Sequence, residues 1–282
     1  MNYQWYPGHM TKAVRQMSED IKLIDLIIEV VDARIPLSSR NPDIDNLGKG
    51  KFRLVLLNKS DLADPGINKE WIEYFAKNGI RCLEINSKSG SGIKNIKKTV
   101  DEVCKDKIER DRKKGILNRP IRAMVVGIPN VGKSTFINSF AGRACAKTGN
   151  KPGVTKGKQW IKLKAGLELL DTPGILWPKF EDQATGMKLA FIGSMNDEIL
   201  VAEELACDFI TYMSDRYPDI ISSFYGFDKP DKPDYRYLEQ IAIARRALKT
   251  GAEPDIEKAA NMLMDDFRAG RMGKISLERP KL

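Results

Sequence analysis

The sequence predicts an α/β protein, a largely parallel sheet wrapped by helices on both faces and followed by a second domain made of helices alone. Two observations carry this. Between residues 25 and 174, short apolar runs of strand length alternate with amphipathic helical patterns, as expected of buried parallel strands joined by crossover helices. Beyond Pro178 strand-like runs nearly vanish, and helical patterns follow one another across Pro- and Gly-bearing turns. The domains are therefore placed at residues 1–177 and 178–282, and a chain of 282 residues with 42% hydrophobic content can bury a core in each.

Taken in order, Met10, Val14, Met17, Ile21 and Ile24 fall on one face at helical spacing, which predicts an amphipathic helix over 10–24. The runs DLIIEVV (25–31), FRLVLL (52–57), IRCLEI (80–85), IRAMVVG (121–127), QWIKL (159–163) and LELLDTPG (167–174) read as strands. Between them KEWIEYFAKNG (69–79) and GIKNIKKTVDEVCKDKIERDRKKG (92–115) read as helices, the charged end of the second leading into a connector. In the second domain three helices are expected, over 197–217, 234–249 and 254–270. No internal repeat is evident.

Charge is unevenly shared. The net charge is +9, yet residues 178–282 hold 15 Lys/Arg against 19 Asp/Glu, while residues 1–177 hold 32 against 19. Within the basic part, residues 143–164 carry seven basic side chains and no acid, a composition suited to meeting phosphate groups. The N-terminus lacks a signal-peptide pattern and no apolar run approaches membrane-span length. A cytoplasmic protein without a membrane partner is expected. Cys82, Cys104, Cys145 and Cys207 are irregularly spaced with no CxxC pair, so buried thiols are expected rather than zinc ligands or disulfides. With no heptad pattern, a monomer is expected.

The firmest motif is GIPNVGKST, residues 127–135, set between the apolar run before it and the helical TFINSF after it. Gly127 and Gly132 let backbone amides curl around phosphate oxygens, Lys133 can reach the terminal phosphates, and Ser134 can hold Mg²⁺. DTPG (171–174) ends a strand, so that Asp171 can meet the Mg²⁺ shell and the Gly174 amide the γ-phosphate. Asn58, Lys59 and Asp61 of NKSD follow another buried run. An Asp there accepts from the two guanine N–H groups that adenine lacks, which selects GTP over ATP. Asn86, Ser87 and Lys88 follow a further strand, suited to approach the guanine carbonyl through backbone amides. Each short motif alone is weak, but all of them end strands.

The order is unusual, because NKSD precedes the phosphate loop by about seventy residues, whereas ordinary GTP-binding domains place it after. The series NKSD, NSK, GIPNVGKST, PGVT, DTPG resembles the circularly permuted GTPases, specifically the bacterial ribosome biogenesis GTPase A family, and WYPGHM (5–10) and DTPGILWPKFED (171–182) match that family closely. The likeness covers essentially the whole chain. It implies a doubly wound P-loop GTPase sheet with permuted motif order, plus an all-helical C-terminal domain. A permuted order is tolerable because such a sheet brings the loops of different strands to one edge.

The resemblance implies GTP hydrolysis to GDP by an assembly factor that binds the large ribosomal subunit precursor, its rRNA and ribosomal proteins, in the GTP state and leaves after hydrolysis. A GTP-dependent scaffold with a protein partner is the alternative, kept alive by the acidic helical domain. It further implies that Asn130, Val131, Gly132, Lys133, Ser134 and Thr135 cradle the phosphates, with Lys133 acting on the reaction. Thr155 is the Mg²⁺-coordinating switch threonine, and Asn130 helps to seat a K⁺ that supplies a fixed positive charge. Ile175 stands where signalling GTPases carry a water-orienting glutamine. His9, the single histidine, is then the candidate for positioning water, the alternative being an exposed histidine without a role. The permuted order also lets the chain leaving Gly174 run directly into the helical domain, whose Arg245, Arg246, Arg268, Arg271 and Lys274 are expected to meet RNA with residues 143–164.

Overall fold

The computed structural model describes residues 15, 17–146, 159–163, 166–172, 182–195 and 200–281. Its described residues form two compact units, residues 15–172 together with 276–281 in one and residues 182–275 in the other.

The first unit is built on a six-stranded sheet. Its strands are β1 Leu26–Asp32, β2 Phe52–Asn58, β3 Arg81–Glu84, β4 Ile121–Val126, β5 Gln159–Leu163 and β6 Leu167–Asp171, in the order β3-β2-β1-β4-β6-β5. All six expected runs are strands. Every neighbouring pair is parallel except β5 and β6. All seven residues of β1 are buried, which is why the run does not alternate; its two acids, Glu29 and Asp32, are buried against Arg40 and Arg34. The chain adds β2 and β3 on one side of β1, then crosses to place β4 and β6 on the other. The strand order thus reverses between β1 and β4, the place where open α/β sheets bind ligands at their carboxyl ends.

Side chains alternate across the sheet, so each face needs its own cover. On one face Trp71 and Phe75 of α2 (Pro65–Lys77) join Val31, Val55, Leu57 and Cys82 in one cluster, while Met17, Ile21 and Ile24 join Ile27, Met124 and Leu170 in another. Fully burying each such side chain stabilises the fold by about 1.5–3 kcal/mol. The opposite face presents Leu54 and Leu56, also fully buried, with α3 (Ile93–Val103) packed on β2 and α5 (Lys133–Ala141) on α3. A short helix, α1 (Asp43–Leu47), leads into β2. The N-terminal apolar stripe is helical over 17–20 and tightens into a 3-10 turn at Ile21–Leu23, while residues 10–14 lie outside the described residues.

The long pattern over 92–115 is two helices rather than one. It breaks at Cys104, where the backbone sits at φ −95° and ψ 12°, before α4 (Lys105–Lys113). Cys104 is buried, and burial pushes its thiol up to about 12. Cys82 is also buried, whereas Cys145 and Cys207 are half-buried, and all four are free thiols.

The second unit holds α6 (Gln183–Phe191), α7 (Ala202–Arg216), α8 (Ile220–Tyr225), α9 (Arg236–Ala244) and α10 (Ile256–Arg268). Three of these answer the expected patterns; α6 and α8 do not, because α6 carries Gly186 mid-helix and α8 spans little more than one turn. The Asp182 side chain accepts from the Ala184 amide and caps the start of α6. In its core Phe191 meets Phe209 edge-to-face and Phe209 packs tilted against Phe267, at centroid distances of 5.1 and 4.7 Å. Arg268 donates to the carbonyls of Ala190 and Phe191 at the end of α6, and Arg271 pairs with Asp266. Two of the five basic residues expected to meet RNA thus hold this unit together. Among the described residues no helix is long and apolar enough to cross a membrane.

The last described residues leave the helical unit. From Ser276 onward the chain packs with the sheet unit, with Leu277 buried and its amide bonded to the Arg34 carbonyl at 2.8 Å. The division expected at residue 178 does not anticipate this return.

Candidate nucleotide-binding site

Asp32, Asn58 and Asp171 end β1, β2 and β6, and the phosphate loop follows β4. The parallel register sets Asp32 opposite Asn58 and Val125 opposite Asp171, which brings these loops to one sheet edge.

Glycines shape the phosphate loop at two points. A Cβ at Gly127 would come 2.7 Å from the Val30 carbonyl oxygen, so β4 can lie against β1 here only without a side chain. Gly132 has φ +91°, and a Cβ there would collide with the Asn58 amide nitrogen. It caps α5, whose first amides have no intrahelical acceptor and point toward where an anion would sit. Asn130 is left-handed as well, at φ 63°. Val131 is fully buried, and Ser134 and Thr135 follow half-buried in the first turn.

Lys133 is 6% exposed and its ammonium pairs with Asp171. Burial pushes the ammonium below its usual value, and the Asp171 carboxylate works against that shift. The Thr172 hydroxyl donates to the Val125 carbonyl at 2.9 Å and pins the chain just past β6. Asn138 of α5 accepts from the amides of Cys145 and Ala146 and donates to the Ala146 carbonyl.

The base-side loops are tied to this phosphate loop by side chains. Asn58 donates to the Val131 carbonyl at 2.7 Å and accepts from the Ser87 amide at 3.0 Å. Lys59, at φ 57°, donates to the Asn130 carbonyl at 2.8 Å. Its ammonium also lies 3.0 Å from Asp32, which Arg34 grips through Nε and Nη2 at 2.9 and 2.8 Å. Asp32 is fully buried, and burial alone would raise its carboxyl. Arg34 and Lys59 outweigh that and hold it well below the usual carboxylate range. Asp61 is exposed in the 3-10 turn Ser60–Leu62, open to a base.

Beyond β3, Asn86 accepts from the amides of Lys88 and Ser89 at 2.9 and 3.0 Å. The amides expected to meet a guanine carbonyl at Ser87 and Lys88 are therefore already engaged by Asn58 and Asn86, and a base would share or replace those bonds. The buried Ser87 hydroxyl has no hydrogen-bond partner among the described residues. His9, Thr155 and Gly174 lie outside the described residues, as does most of the basic stretch 143–164.

Comparison with known proteins agrees with this arrangement. A family model described as 50S ribosome-binding GTPase matches residues 122–241, which begin in β4 and leave Asn58–Asp61 upstream. A protein from Bacillus cereus named Ribosome biogenesis GTPase A is 45% identical, covering 100% of this chain and 95% of its own length. Its namesake from Thermotoga maritima is 33% identical over 98% of this chain and 94% of its own. The chain belongs to the ribosome biogenesis GTPase A family. Among solved structures, GNP-bound YlqF from T. maritima superposes with a TM-score of 0.68 at 30% identity, covering 96% of this chain and 99% of that one. A GDP-bound structure of the same protein gives the same TM-score. As a GTPase of the ribosome biogenesis GTPase A family, the chain brings its described motif residues, Asn58, the phosphate loop and Asp171, to one sheet edge. Sequence reasoning missed Asp32 and Arg34. The signal was present, since VDAR ends a strand just as the flagged Asn58 and Asp171 do.

Proposed function

We propose that the chain hydrolyses GTP as an assembly factor that engages the large ribosomal subunit precursor, through its rRNA and ribosomal proteins, in the GTP state and is released after hydrolysis. The observation that carries the nucleotide part is the direct bonding of the base-side loop to the phosphate loop, Asn58 to Val131 and Lys59 to Asn130. One rigid cradle can then feel both ends of a guanine nucleotide. The ribosomal part is supported by the names of the matching family and relatives. We place the protein in the cytoplasm as a monomer.

In this reading Asp61 accepts from the guanine N–H groups, and Asn86, Ser87 and Lys88 flank the base. Gly127, Asn130, Val131, Gly132, Ser134 and Thr135 offer amides and hydroxyls to the phosphates. Lys133 exchanges Asp171 for phosphate oxygens when nucleotide arrives, so its charge is delivered to the bond that breaks and is matched by Asp171 until then. The oxygen donors of Ser134 and Asp171 at this edge suit a hard divalent cation. Ser134 and Thr155 would hold Mg²⁺, with Asp171 contacting it through water, and the ion would supply neutralisation of phosphate charge. The neutral amide oxygen of Asn130 suits K⁺. Gly174 donates to the γ-phosphate, and His9 orients the attacking water in place of a glutamine.

Asp61→Asn turns part of an acceptor into a donor. GTP affinity is expected to fall and xanthosine triphosphate to be preferred; unchanged base preference would refute the assignment. His9→Ala is expected to spare binding and slow particle-stimulated turnover. Replacing K⁺ by Na⁺ is expected to slow turnover in the parent and to have less effect in Asn130→Ala. Cosedimentation with ribosomal particles across a salt series tests the partner, because RNA contacts weaken steeply with salt. Absence of cosedimentation in any nucleotide state would favour a protein-binding scaffold, which the acid excess of residues 178–282 also suits.

A further inference from the structure

The C-terminal segment reaches the nucleotide edge by a route the motifs do not reveal. Glu278 is half-buried and its carboxylate accepts from the Leu37 amide at 2.9 Å, the Ser38 amide at 3.2 Å and the Ser38 hydroxyl. These donors belong to the turn that follows β1. The next residue, Ser39, returns its hydroxyl to the Asp32 amide at 3.0 Å, while Arg40 pairs with Glu29 of β1 at 2.9 Å. One step before Glu278, the Leu277 amide donates to the carbonyl of Arg34, whose guanidinium grips Asp32. Asp32 in turn holds Lys59. On the other flank the Ser276 hydroxyl accepts from the Asp64 amide at 3.0 Å, three residues beyond Asp61. The Glu278 carbonyl accepts from the Trp71 indole at 3.3 Å, on the helix that Asp64 caps.

We propose that Ser276–Glu278 is a positioning element for guanine recognition, with Glu278 holding the turn that carries Arg34 and Ser276 holding the exit from the base-reading loop. The inference rests on the guanine-nucleotide reading of this site. A carboxylate that collects three donors makes one end of the turn stiff. The Glu278 donors lie three and four residues beyond Arg34, and the Ser276 bond falls three residues beyond Asp61. The chain thereby uses a segment near residue 278 to hold a loop more than two hundred residues earlier.

The test uses the full chain and compares parent, Glu278→Ala, Glu278→Gln and, as a control, Glu70→Ala, which removes the carboxylate paired with the exposed Arg279. Affinity is measured for GDP and for inosine diphosphate, which lacks the exocyclic amino group that Asp61 would accept from, together with the thermal midpoint. Glu278→Ala is expected to weaken GDP about ten-fold and to narrow the preference for GDP over inosine diphosphate. Glu278→Gln, which keeps one acceptor oxygen but replaces the other by a donor and removes the charge, should fall between it and the parent. Glu70→Ala should stay within about two-fold of the parent. A lower thermal midpoint with an unchanged GDP-to-inosine preference would assign Glu278 a purely structural role and overturn the proposal. If Glu278→Ala does not fold, an unchanged preference in Glu278→Gln has the same force. A parent that binds GDP no better than ADP would instead overturn the guanine reading itself, and the proposal with it.

Discussion

The two halves of the nucleotide edge are built by different means. On the base side, position is set by side chains, with Lys59, Asp32 and Arg34 forming a polar chain around the buried Asp32 and Asn58 bridging Ser87 and Val131. On the phosphate side it is set by the backbone, through Gly127, Gly132 and the start of α5, with one buried ion pair between Lys133 and Asp171. A backbone cradle fits any phosphate and needs little from its neighbours. A side-chain network can distinguish a base, but each member depends on the others. The bonds from Asn58 and Lys59 to the phosphate loop join the two designs.

The largest effect expected from breaking either side is at Lys133. Lys133→Ala removes the one charge the phosphate side delivers and leaves Asp171 buried and unpaired, so equilibrium binding of GTP and GDP should fall by roughly 100-fold or more. On the base side Asp32→Asn should cost about 3 kcal/mol in denaturant unfolding, because it strands the Arg34 charge inside the protein. The same residue sets an acid dependence. Its carboxyl is held below the ordinary value in the folded state, so its contribution is present above about pH 4 and declines as pH falls toward the folded value. Asp32→Asn should flatten stability against pH in that window.

Asn58→Ala is expected to weaken GDP and inosine diphosphate alike by about ten-fold, since it unties the base loop from the phosphate loop without touching the base edge. Gly132→Ala should have the smallest effect, about 1 kcal/mol of strain from its left-handed backbone plus whatever the collision with Asn58 adds. Combining it with Asn58→Ala removes the collision, so the double variant should lose less than the sum of the singles. Additive losses would mean that the two sides of the site are independent after all.

Much of the fold was legible from local pattern. The runs of the sheet centre became strands because their residues are buried on both faces, as in LIIEVV, while the edge runs β3 and β5 are mostly exposed or half-buried. The helices that escaped notice were those with weak local signals, α6 with an internal glycine and the single-turn α8. In the site, the residues that escaped notice were those whose importance comes from a partner. Asp32 and Arg34 look like an ordinary strand end until Lys59 is placed beside them. Two basic residues of the helical unit carry an internal role that their sequence does not show. Arg268 and Arg271 look available in sequence, yet they serve helix-end carbonyls and a buried carboxylate.

By itself the sequence determined the strands, most helices, the phosphate loop, the base-reading motif and their permuted order, because periodicity, glycine placement and strand-end chemistry act over a few residues. The sheet alone decided which of these meet. Register between β1 and β2 sets Asp32 opposite Asn58, and the crossover to β4 brings Asn130 and Gly132 against residues seventy positions earlier. The tail illustrates the limit most clearly: SLERPKL (276–282) gives no hint that Glu278 would bond to Leu37 across 241 residues of chain. That contact exists because folding carries the chain back to the edge where β1 ends, and proximity in space, unlike a strand or a turn, has no period in sequence.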